Sequence, residues 1–503
     1  YLYIFFHLEK FGNDSLNKYL REIGGEDIDL WFKNAIRVNA GEIVGYSGES
    51  GSGLPHLHFE LRTDFDTTVN PLQLIKIQDK QSNFIVESLI VYPVGIGSLA
   101  FGKADPVEVL VSPDRPLRYA EILFKGEIGM GVKCKFQTSR GDSLSPYEWG
   151  IKLDDTKIFK QRFDYISYYD NTKSARIYDA TKSTFGPTFY SLYLFNREAR
   201  PVTFNSNNEW NGIIDESFTE SRIFITDYLD NTYEIHVKFI NNENIDFDFN
   251  KDYTIEGWDD IFLIKSKYKG EKTYKWIDVK ELESGVHKLE INNKRLDEVY
   301  LVVIDEKQNE FFIDTNFSIK VPGDSVFKKT GIIINRDRAK KELAGMIVKD
   351  YGYQTKQVYD FKKEIKLKIK YKEKRGEHLC VFSYDWKKKK AGFYKAIEKN
   401  AQEVDVRYLK SFVIADDIKK PYIGKGYYKT KEIYCIESYD RESGIDEDSI
   451  IVTAGKMKIP SEYDYDRNLI LCNLKNITDI DRLNVSLKDR AGNILRKNVM
   501  IKN

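Results

Sequence analysis

Short runs in which apolar and polar residues alternate recur along most of this chain, and they constrain its fold more than any other feature. Typical runs are VEVLV at 107–111, YAEILFKG at 119–126 and RIFITD at 222–227, with Asn, Asp and Gly frequent between such runs. Alternation with a period of two turns one face of a strand toward a core and the other toward solvent. The composition agrees, because aromatic residues make up 14% of the chain and suit half-buried pleated surfaces. The sequence therefore predicts a mainly β protein.

The length predicts several β units, because 503 residues exceed what one hydrophobic core organises. The N-terminal unit is rich in glycine and contains three of the six histidines. We divide the chain into a partial antiparallel β-sheet domain at 1–78, a β-sandwich module at 79–247, an Ig-like module at 248–335, a mixed β-rich module at 336–420 and a C-terminal Ig-like module at 421–503. Within the fourth module, KAIEKNAQEV at 395–404 could form one or two helical turns.

A weak internal repeat marks three turns in which an aspartate precedes an asparagine by four residues. The pairs are Asp227 and Asn231, Asp305 and Asn309, and Asp489 and Asn493. Asp and Asn favour turns because their side chains bond local backbone amides and tolerate left-handed conformations. We predict that each turn joins the two strands of a β-hairpin that closes a β-sandwich module. Calcium binding by these turns is the alternative, although clustered carboxylates at EF-hand spacing are missing.

Charge, cysteine spacing and hydropathy exclude several classes of protein. Lys plus Arg equals Asp plus Glu at 78 each, so no overall field favours nucleic acid or an anionic membrane as a partner. No apolar run approaches the roughly 18–20 residues of a transmembrane helix. The four cysteines form no CxxC pair, which leaves buried free thiols or one long-range disulfide; they are Cys134, Cys380, Cys435 and Cys472.

The strongest chemical signal is a pair of histidines separated by one residue. PHLHFELR at 55–62 places His56 and His58 on the same face of a strand, after a glycine-rich turn at 48–53. Leu57 and Phe59 would then face the opposite layer. Two neighbouring imidazoles suit a metal ligand with an adjacent acid/base partner, but surface or core histidines are the more common explanation of an isolated HxH. Glu60 follows on the histidine face, where it could orient an imidazole or form a surface salt bridge.

The order of motifs resembles one enzyme family. NAGEIVGYSG at 39–48, the glycine turn, HLHFELR at 56–62 and VNPL at 69–72 resemble the C-terminal half of lysostaphin/LytM-type zinc peptidase domains. Phe6-His7-Leu8 resembles the histidine motif of that family, and 16–23 with 29–32 resembles an insertion of its larger members. The resemblance covers about seventy residues. More weakly, 126–132, 147–151 and 164–166 resemble a β-rich tail module of large envelope proteins, and 443–445 with 489–493 a bacterial Ig-like domain.

The family resemblance implies roles for three histidines. His58 matches a zinc ligand, whereas His56 and His7 match the histidines that flank the zinc-bound water and stabilise the tetrahedral intermediate or shuttle protons. It implies a Zn²⁺ cofactor, peptide bonds of peptidoglycan as substrate and an extracytoplasmic location in the bacterial cell envelope. Other envelope proteins are potential partners of the β-rich tail.

One departure from the family limits this expectation. The family has two further zinc ligands in an HxxxD motif upstream of the first histidine, and residues 1–6 do not contain it. Catalytic zinc normally has three protein ligands. We expect the chain to be a fragment of an active enzyme. The alternatives are a catalytically inactive LytM-like scaffold or regulator on an Ig-like stalk, and a carbohydrate-binding adhesin that uses exposed aromatic residues.

Overall fold

The structure is a computed structural model in which strands dominate. It describes residues 1–23, 37–48, 56–75, 82–112, 118–153, 157–169, 173, 176–179, 181–183, 189–197, 210–245, 247, 249, 253–268, 270–291, 294–337, 342–343, 346–371, 378–385, 390–397, 401–465, 467–474, 477 and 480–501. The prediction of a mainly β fold built from antiparallel sheets is confirmed. Among the described strands, one parallel pair interrupts the antiparallel pattern.

The N-terminal region forms two small sheets and one helix. Its elements are β1 (Leu2–Phe6), β2 (Leu8–Phe11), α1 (Asp14–Ile23), β3 (Gly45–Ser47), β4 (His58–Arg62), β5 (Thr67–Val69) and a 3₁₀ turn (Pro71–Gln73). Strands β2 and β3 pair with each other, whereas β1, β4 and β5 form a sheet in that order. A short strand of the following unit, β12 (Tyr165–Ser167), extends this sheet beside β5. The histidine motifs therefore lie on a sheet that continues into the next unit.

The second unit is a nine-stranded sheet built on two long strands. Its remaining strands are β6 (Ser82–Ala100), β7 (Val107–Leu110), β8 (Arg118–Thr138), β9 (Ser143–Leu144), β10 (Glu148–Leu153), β11 (Lys157–Arg162), β13 (Tyr190–Tyr193), β14 (Glu220–Thr226) and β15 (Thr232–Asn241). The order is β11-β10-β14-β15-β8-β6-β7, with β9 and β13 also paired to β8. Register shifts interrupt the β6–β8 ladder at two places, and such bulges bend long strands. Residues from this whole sheet share one core.

A three-stranded sheet and a large β-sandwich follow. The sheet contains β16 (Tyr253–Trp258), β17 (Ile261–Tyr268) and β18 (Glu271–Asp278), followed by a 3₁₀ turn (Val279–Glu281). The larger layer of the sandwich contains β19 (Gly285–Ile291), β20 (Lys294–Ile304), β23 (Thr330–Asp337), β24 (Glu342–Leu343), β25 (Met346–Thr355), β27 (Leu379–Asp385), β28 (Lys390–Ala396) and β30 (Phe412–Asp416). The smaller layer contains β21 (Asn309–Phe312), β22 (Phe317–Val321), β26 (Tyr359–Lys370) and β29 (Ala401–Leu409). One core fills the space between the layers and spans the 335/336 position at which the sequence predicts a boundary between two modules.

The C-terminal unit is a sandwich of two four-stranded sheets. Its elements are β31 (Tyr422–Tyr428), β32 (Ile433–Tyr439), a 3₁₀ turn (Glu447–Ser449), β33 (Ile451–Ala454), β34 (Met457–Lys458), β35 (Ser461–Asp464), β36 (Leu469–Asn473), β37 (Arg482–Lys488) and β38 (Ile494–Met500). The sheet orders are β31-β32-β36-β35 and β34-β33-β37-β38. Labelled as in immunoglobulin domains, these are the A-B-E-D and C′-C-F-G sheets. The predicted Ig-like character of this unit is confirmed.

Alternation explains why these segments form strands. In β37, Leu483, Val485 and Leu487 are buried, whereas Arg482 and Lys488 at the strand ends are exposed. β30 is buried along its whole length because it lies inside the larger sheet, with Phe412 and Ile414 in the core between the layers and Val413 and Ala415 in a second cluster that includes Ala491. The four cysteines are buried and free, in agreement with the free-thiol alternative.

Two local predictions can be checked directly. Strands β14 and β15 pair across the Asp227 turn, and β37 and β38 pair across the Asp489 turn, so two of the three hairpins are confirmed. The Asp305 turn joins β20 to β21, which lie in different layers of the sandwich, so the third hairpin is wrong. The helical turn expected at 395–404 is also wrong for the described residues, which belong to β28, β29 and their ends; residues 398–400 lie outside the described part.

Candidate functional site

Backbone pairing brings the N-terminal histidine to the HxH strand. Strands β1 and β4 are antiparallel, with Phe6 opposite His58. His7 follows directly, and its φ of 59° lies in the left-handed region where the chain turns into β2. The amide of Gly48 donates to the carbonyl of His7 at 2.6 Å, and Gly48 also forms an isolated bridge with His56. Gly48 therefore connects the two segments that contribute histidines.

Three imidazole rings meet at this junction. The ring of His7 lies 4.7 Å from that of His56 and 5.8 Å from that of His58, centroid to centroid. The ring of Phe6 lies 4.9 Å from His58 and covers one side of it. The His58 side chain is 46% exposed, so the cluster is open to solvent and to a ligand. The structure thus brings the rings of His56 and His58 to that of His7, although His56 precedes β4 in an isolated bridge and does not lie on the strand that begins at His58.

Close backbone approach explains the glycine at position 48. A Cβ atom on Gly48 would lie 2.6 Å from the backbone nitrogen of Glu9, which is closer than non-bonded atoms tolerate. Only glycine lets the strand before the HxH motif pack against the segment that carries His7. The rest of the glycine-rich turn, at 49–53, lies outside the described residues, as does the 29–32 segment.

Glu60 connects His58 to Tyr168 and Arg62 in a hydrogen-bond network. His58 Nε2 lies 3.0 Å from Glu60 Oε1, which also accepts a hydrogen bond from the Tyr168 hydroxyl at 2.7 Å. Arg62 Nε donates to Glu60 Oε2 at 2.7 Å, and the Arg62 guanidinium lies 4.7 Å from the centroid of the Tyr168 ring. Both alternatives for Glu60 are therefore realised, because it orients an imidazole and pairs with an arginine.

The electrostatics of this network favour an ionised Glu60. Partial burial by itself would raise the pKa of the Glu60 carboxyl, since the side chain is only 11% exposed. Hydrogen bonds from Tyr168 and Arg62, together with the Arg62 charge, outweigh burial and hold this pKa below its ordinary value. The Glu60 carboxylate can therefore act as a permanent hydrogen-bond acceptor for His58 near neutral pH.

A cleft lies along the same sheet. It has a volume of about 400 Å³, runs between β4, β5 and β12, and includes Glu60 in its wall. Its apolar wall is formed by Phe59, Leu61, Val69, Phe163, Tyr165 and Ile166. Phe59 lines this cleft and packs against Tyr3 and Phe5, whereas Leu57 precedes β4 and is 50% exposed, so no opposite layer covers the two residues as predicted.

Sequence reasoning missed Tyr168. This residue lies more than a hundred positions beyond the HxH motif, in the second unit, and reaches Glu60 because β12 pairs with β5. The sequence around it, DYISYYD at 164–170, has alternation but no chemical motif. Only the strand pairing between the two units could have indicated it.

No helix in the described part of the chain is long and apolar enough to cross a membrane.

Comparisons with known proteins assign no family. No family model matches the chain, and no curated protein matches it. Among solved structures, the human desmocollin-1 ectodomain aligns over 88% of this chain and 96% of its own, with 9% identity and a TM-score of 0.13. A TM-score this low carries no argument about fold or function.

Proposed function

We propose that this chain carries part of a zinc-dependent metalloendopeptidase of the LytM type, which hydrolyses peptide bonds of peptidoglycan in the bacterial cell envelope. The observation that carries the proposal is the convergence of His7, His56 and His58 from two separate segments, with ring separations from His7 of 4.7 and 5.8 Å. Isolated surface histidines would have no reason to converge in this way.

The residues present fit a zinc ion in part. Imidazole nitrogen is a common zinc ligand, and a metal-bound histidine usually gives its other ring nitrogen to a carboxylate. His58 has the carboxylate part of this arrangement, since Nε2 faces Glu60, and Nδ1 would be the nitrogen that binds the metal. His58 would therefore hold zinc, with Glu60 orienting the ring. The family's remaining ligands, the His and Asp of HxxxD, have no counterpart in residues 1–6.

The other two histidines have the chemistry of proton carriers. Histidine is the side chain whose unperturbed pKa suits proton transfer near neutral pH. His56 and His7 are positioned to take a proton from water or to stabilise charge that develops on the scissile carbonyl. Zinc supplies Lewis acidity at such a site, which lowers the pKa of water and polarises a carbonyl group. The cleft beside Glu60 would accept the peptide next to these groups.

The test is hydrolysis of purified peptidoglycan by the longest natural form of the protein. His56→Ala should lower the release of soluble fragments by about 10²- to 10⁴-fold, because a general acid–base group is lost. Zinc content, measured by mass spectrometry of the metal, should be retained in this variant and lost in His58→Ala. His236→Ala is the matched control, because His236 lies on β15 in the second unit and should change neither quantity. Unchanged turnover in His56→Ala would remove this residue from the mechanism.

An inactive LytM-like scaffold is the second candidate, because the same three histidines could be retained in a domain that binds a partner. A scaffold would bind or activate another envelope protein through the N-terminal sheet and present it on the β-rich tail. It predicts a folded protein that contains no zinc and releases no peptidoglycan fragments in any natural form. Binding of a partner that survives His56→Ala but not deletion of residues 1–78 would support it.

A further inference from the structure

Three aspartates from different segments meet at one end of the last sandwich. Asp417 lies in the connection from β30 to β31, directly after the preceding sandwich ends. Asp440 follows β32 and Asp489 follows β37, so they come from the two different sheets of the last unit. Because β31 runs antiparallel to β32, its start lies at the same end as Asp440. The three residues therefore occupy the junction between two units.

The three carboxylates are close together and two are fully enclosed. One oxygen from each side chain lies within 4.8 Å of an oxygen of each of the other two. Asp417 and Asp489 are 0% and 1% exposed, and Asp440 is half-buried. Asp417 Oδ1 accepts the amide of Lys419, whereas its second oxygen, Oδ2, is buried and has no hydrogen-bond partner among the described residues. A buried oxygen without a partner is costly unless a ligand binds it.

No positive side chain of the described part compensates this charge. None of the three carboxylates forms an ion pair with a described lysine, arginine or histidine. The nearby Lys419 pairs with Glu442 at 2.6 Å, and Glu442 adds a further negative charge beside Asp417 and Asp440. Burial, together with the neighbouring carboxylates, raises the pKa of all three groups, and that of Asp489 to about 6. Backbone amides that donate to Asp440, and Asn493, which donates to Asp489, offset part of the cost of these like charges. A proton or a cation would offset more of it.

We propose that Asp417, Asp440 and Asp489 bind a calcium ion at the junction between the last sandwich and the one before it. The donors are carboxylate oxygens, with no cysteine or histidine among them, which suits a hard divalent cation. Calcium suits the site better than magnesium, because magnesium retains several of its waters and a buried site leaves little room for them. This proposal does not rest on the proposed peptidase function.

The Asp227 turn of the second unit shows why only one of the repeated turns forms the site. In both turns the asparagine donates its backbone amide to one carboxylate oxygen and its side-chain amide to the other, at 2.8–3.0 Å. Asp227 is as deeply buried as Asp489, but it belongs to no group of ligating side chains in the described chain. The turn itself is therefore structural, and the neighbouring Asp417 and Asp440 create the cation site.

A bound ion would stiffen the junction between the last sandwich and the one before it, which are already joined by hydrogen bonds. The amide of Asp417 donates to the carbonyl of His378 in the preceding sandwich at 3.1 Å. His378 Nδ1 lies 3.0 Å from the carbonyl of Ala491 in the Asp489 turn. Calcium would add a bridge between the linker, β32 and β37, and so would fix the angle between the two sandwiches.

The test is calcium titration of the full chain after chelator treatment, followed by calorimetry and thermal unfolding. We expect one calcium ion per chain and a melting temperature that rises by several degrees in millimolar calcium. Asp417→Asn should weaken calcium binding at least about tenfold, abolish the shift, and leave the calcium-free protein as stable as the wild type or more stable. Asp440→Asn, at a less buried position, should behave in the same way if Asp417→Asn folds poorly.

Asp227→Asn is the matched control, because it changes a buried aspartate in the same kind of turn without touching the proposed site. It should keep the calcium stoichiometry and the calcium-dependent shift. The proposal is overturned if the wild-type chain binds no calcium at millimolar concentration. It is equally overturned if Asp417→Asn or Asp440→Asn binds calcium as tightly as the wild type does.

Discussion

The histidine cluster near the start of the chain and the aspartate cluster in the last unit both gather ionisable side chains within a few ångströms, but in opposite surroundings. His58 is 46% exposed and lies on a thin sheet on which Tyr3 and Phe5 remain 55% and 37% exposed. Asp417 and Asp489 are buried at the end of a complete sandwich. An exposed cluster can meet a substrate, whereas a buried one can act only on the structure around it. Burial therefore separates a candidate catalytic site from a candidate structural one.

The largest expected effect comes from the core of the second unit, whose strand β12 extends the histidine sheet. Trp149 is fully buried in the second unit, where its indole donates to the carbonyl of Tyr193 at 3.1 Å. Trp149→Ala should lower the free energy of unfolding of this unit by about 3–5 kcal/mol, because a large cavity and an unpaired carbonyl remain. Phe5→Ala on the thin sheet is the contrast, with an expected loss of about 1 kcal/mol or less. Urea unfolding followed by tryptophan fluorescence measures both, and equal losses would contradict the difference in burial.

A smaller effect is expected where the two histidine segments touch. Gly48→Ala would place a Cβ atom 2.6 Å from the Glu9 nitrogen, so the segments must separate. We expect a loss of about 1–3 kcal/mol in stability of the N-terminal region and faster amide exchange in β2 and β3. Gly285→Ala is the control, because a Cβ there would meet only a ring nitrogen of His287 at 3.9 Å. Equal exchange rates in the two variants would show that Gly48 is not a contact point.

The smallest expected effect on stability concerns the hydrogen-bond network that joins His58, Glu60, Tyr168 and Arg62. Tyr168→Phe removes the hydroxyl that donates to Glu60, and should cost about 0.5–1 kcal/mol at this partly exposed site. The Glu60 pKa is lower in the folded chain than in the unfolded one, so its stabilising contribution is present above about pH 4.3 and is lost as pH falls through the folded pKa. Tyr168→Phe should reduce this acid-dependent loss, which thermal unfolding at a series of pH values measures. Tyr169→Phe, at an 86% exposed neighbour, should leave the pH dependence unchanged.

Local sequence patterns predicted strands well and their sheet membership less well. The alternation in RIFITD at 222–227 corresponds to β14, and the turn after it forms the expected hairpin. The same Asp-x-x-x-Asn pattern at Asp305 leads instead into the opposite layer of a sandwich. Alternation determines which face of a strand is buried, but either layer can bury that face. The choice depends on contacts with strands distant in sequence, which a local pattern does not contain.

The residues of the two candidate sites also fall into those that the sequence identifies and those that only the tertiary structure brings to the site. His56 and His58 could be identified from their spacing, and His7 from the order of motifs in the family that this region resembles. Tyr168 could not be, because it reaches Glu60 only through the pairing of β12 with β5. The sequence identifies Asp489 as a turn residue, but it does not connect Asp489 with Asp417 or Asp440, since neither has a ligand-like spacing to it.

The sequence alone determined that this chain is built of strands with one buried and one exposed face, because a period of two is a property of the extended backbone itself. The tertiary structure decided which distant segments come into contact. It places His7 next to His56, brings the Tyr168 hydroxyl to Glu60, and gathers three aspartates at one end of the last sandwich. These contacts depend on packing and strand pairing between residues that lie tens to hundreds of positions apart in the sequence. They set burial and the balance of charge, and through these the chemistry each cluster can perform.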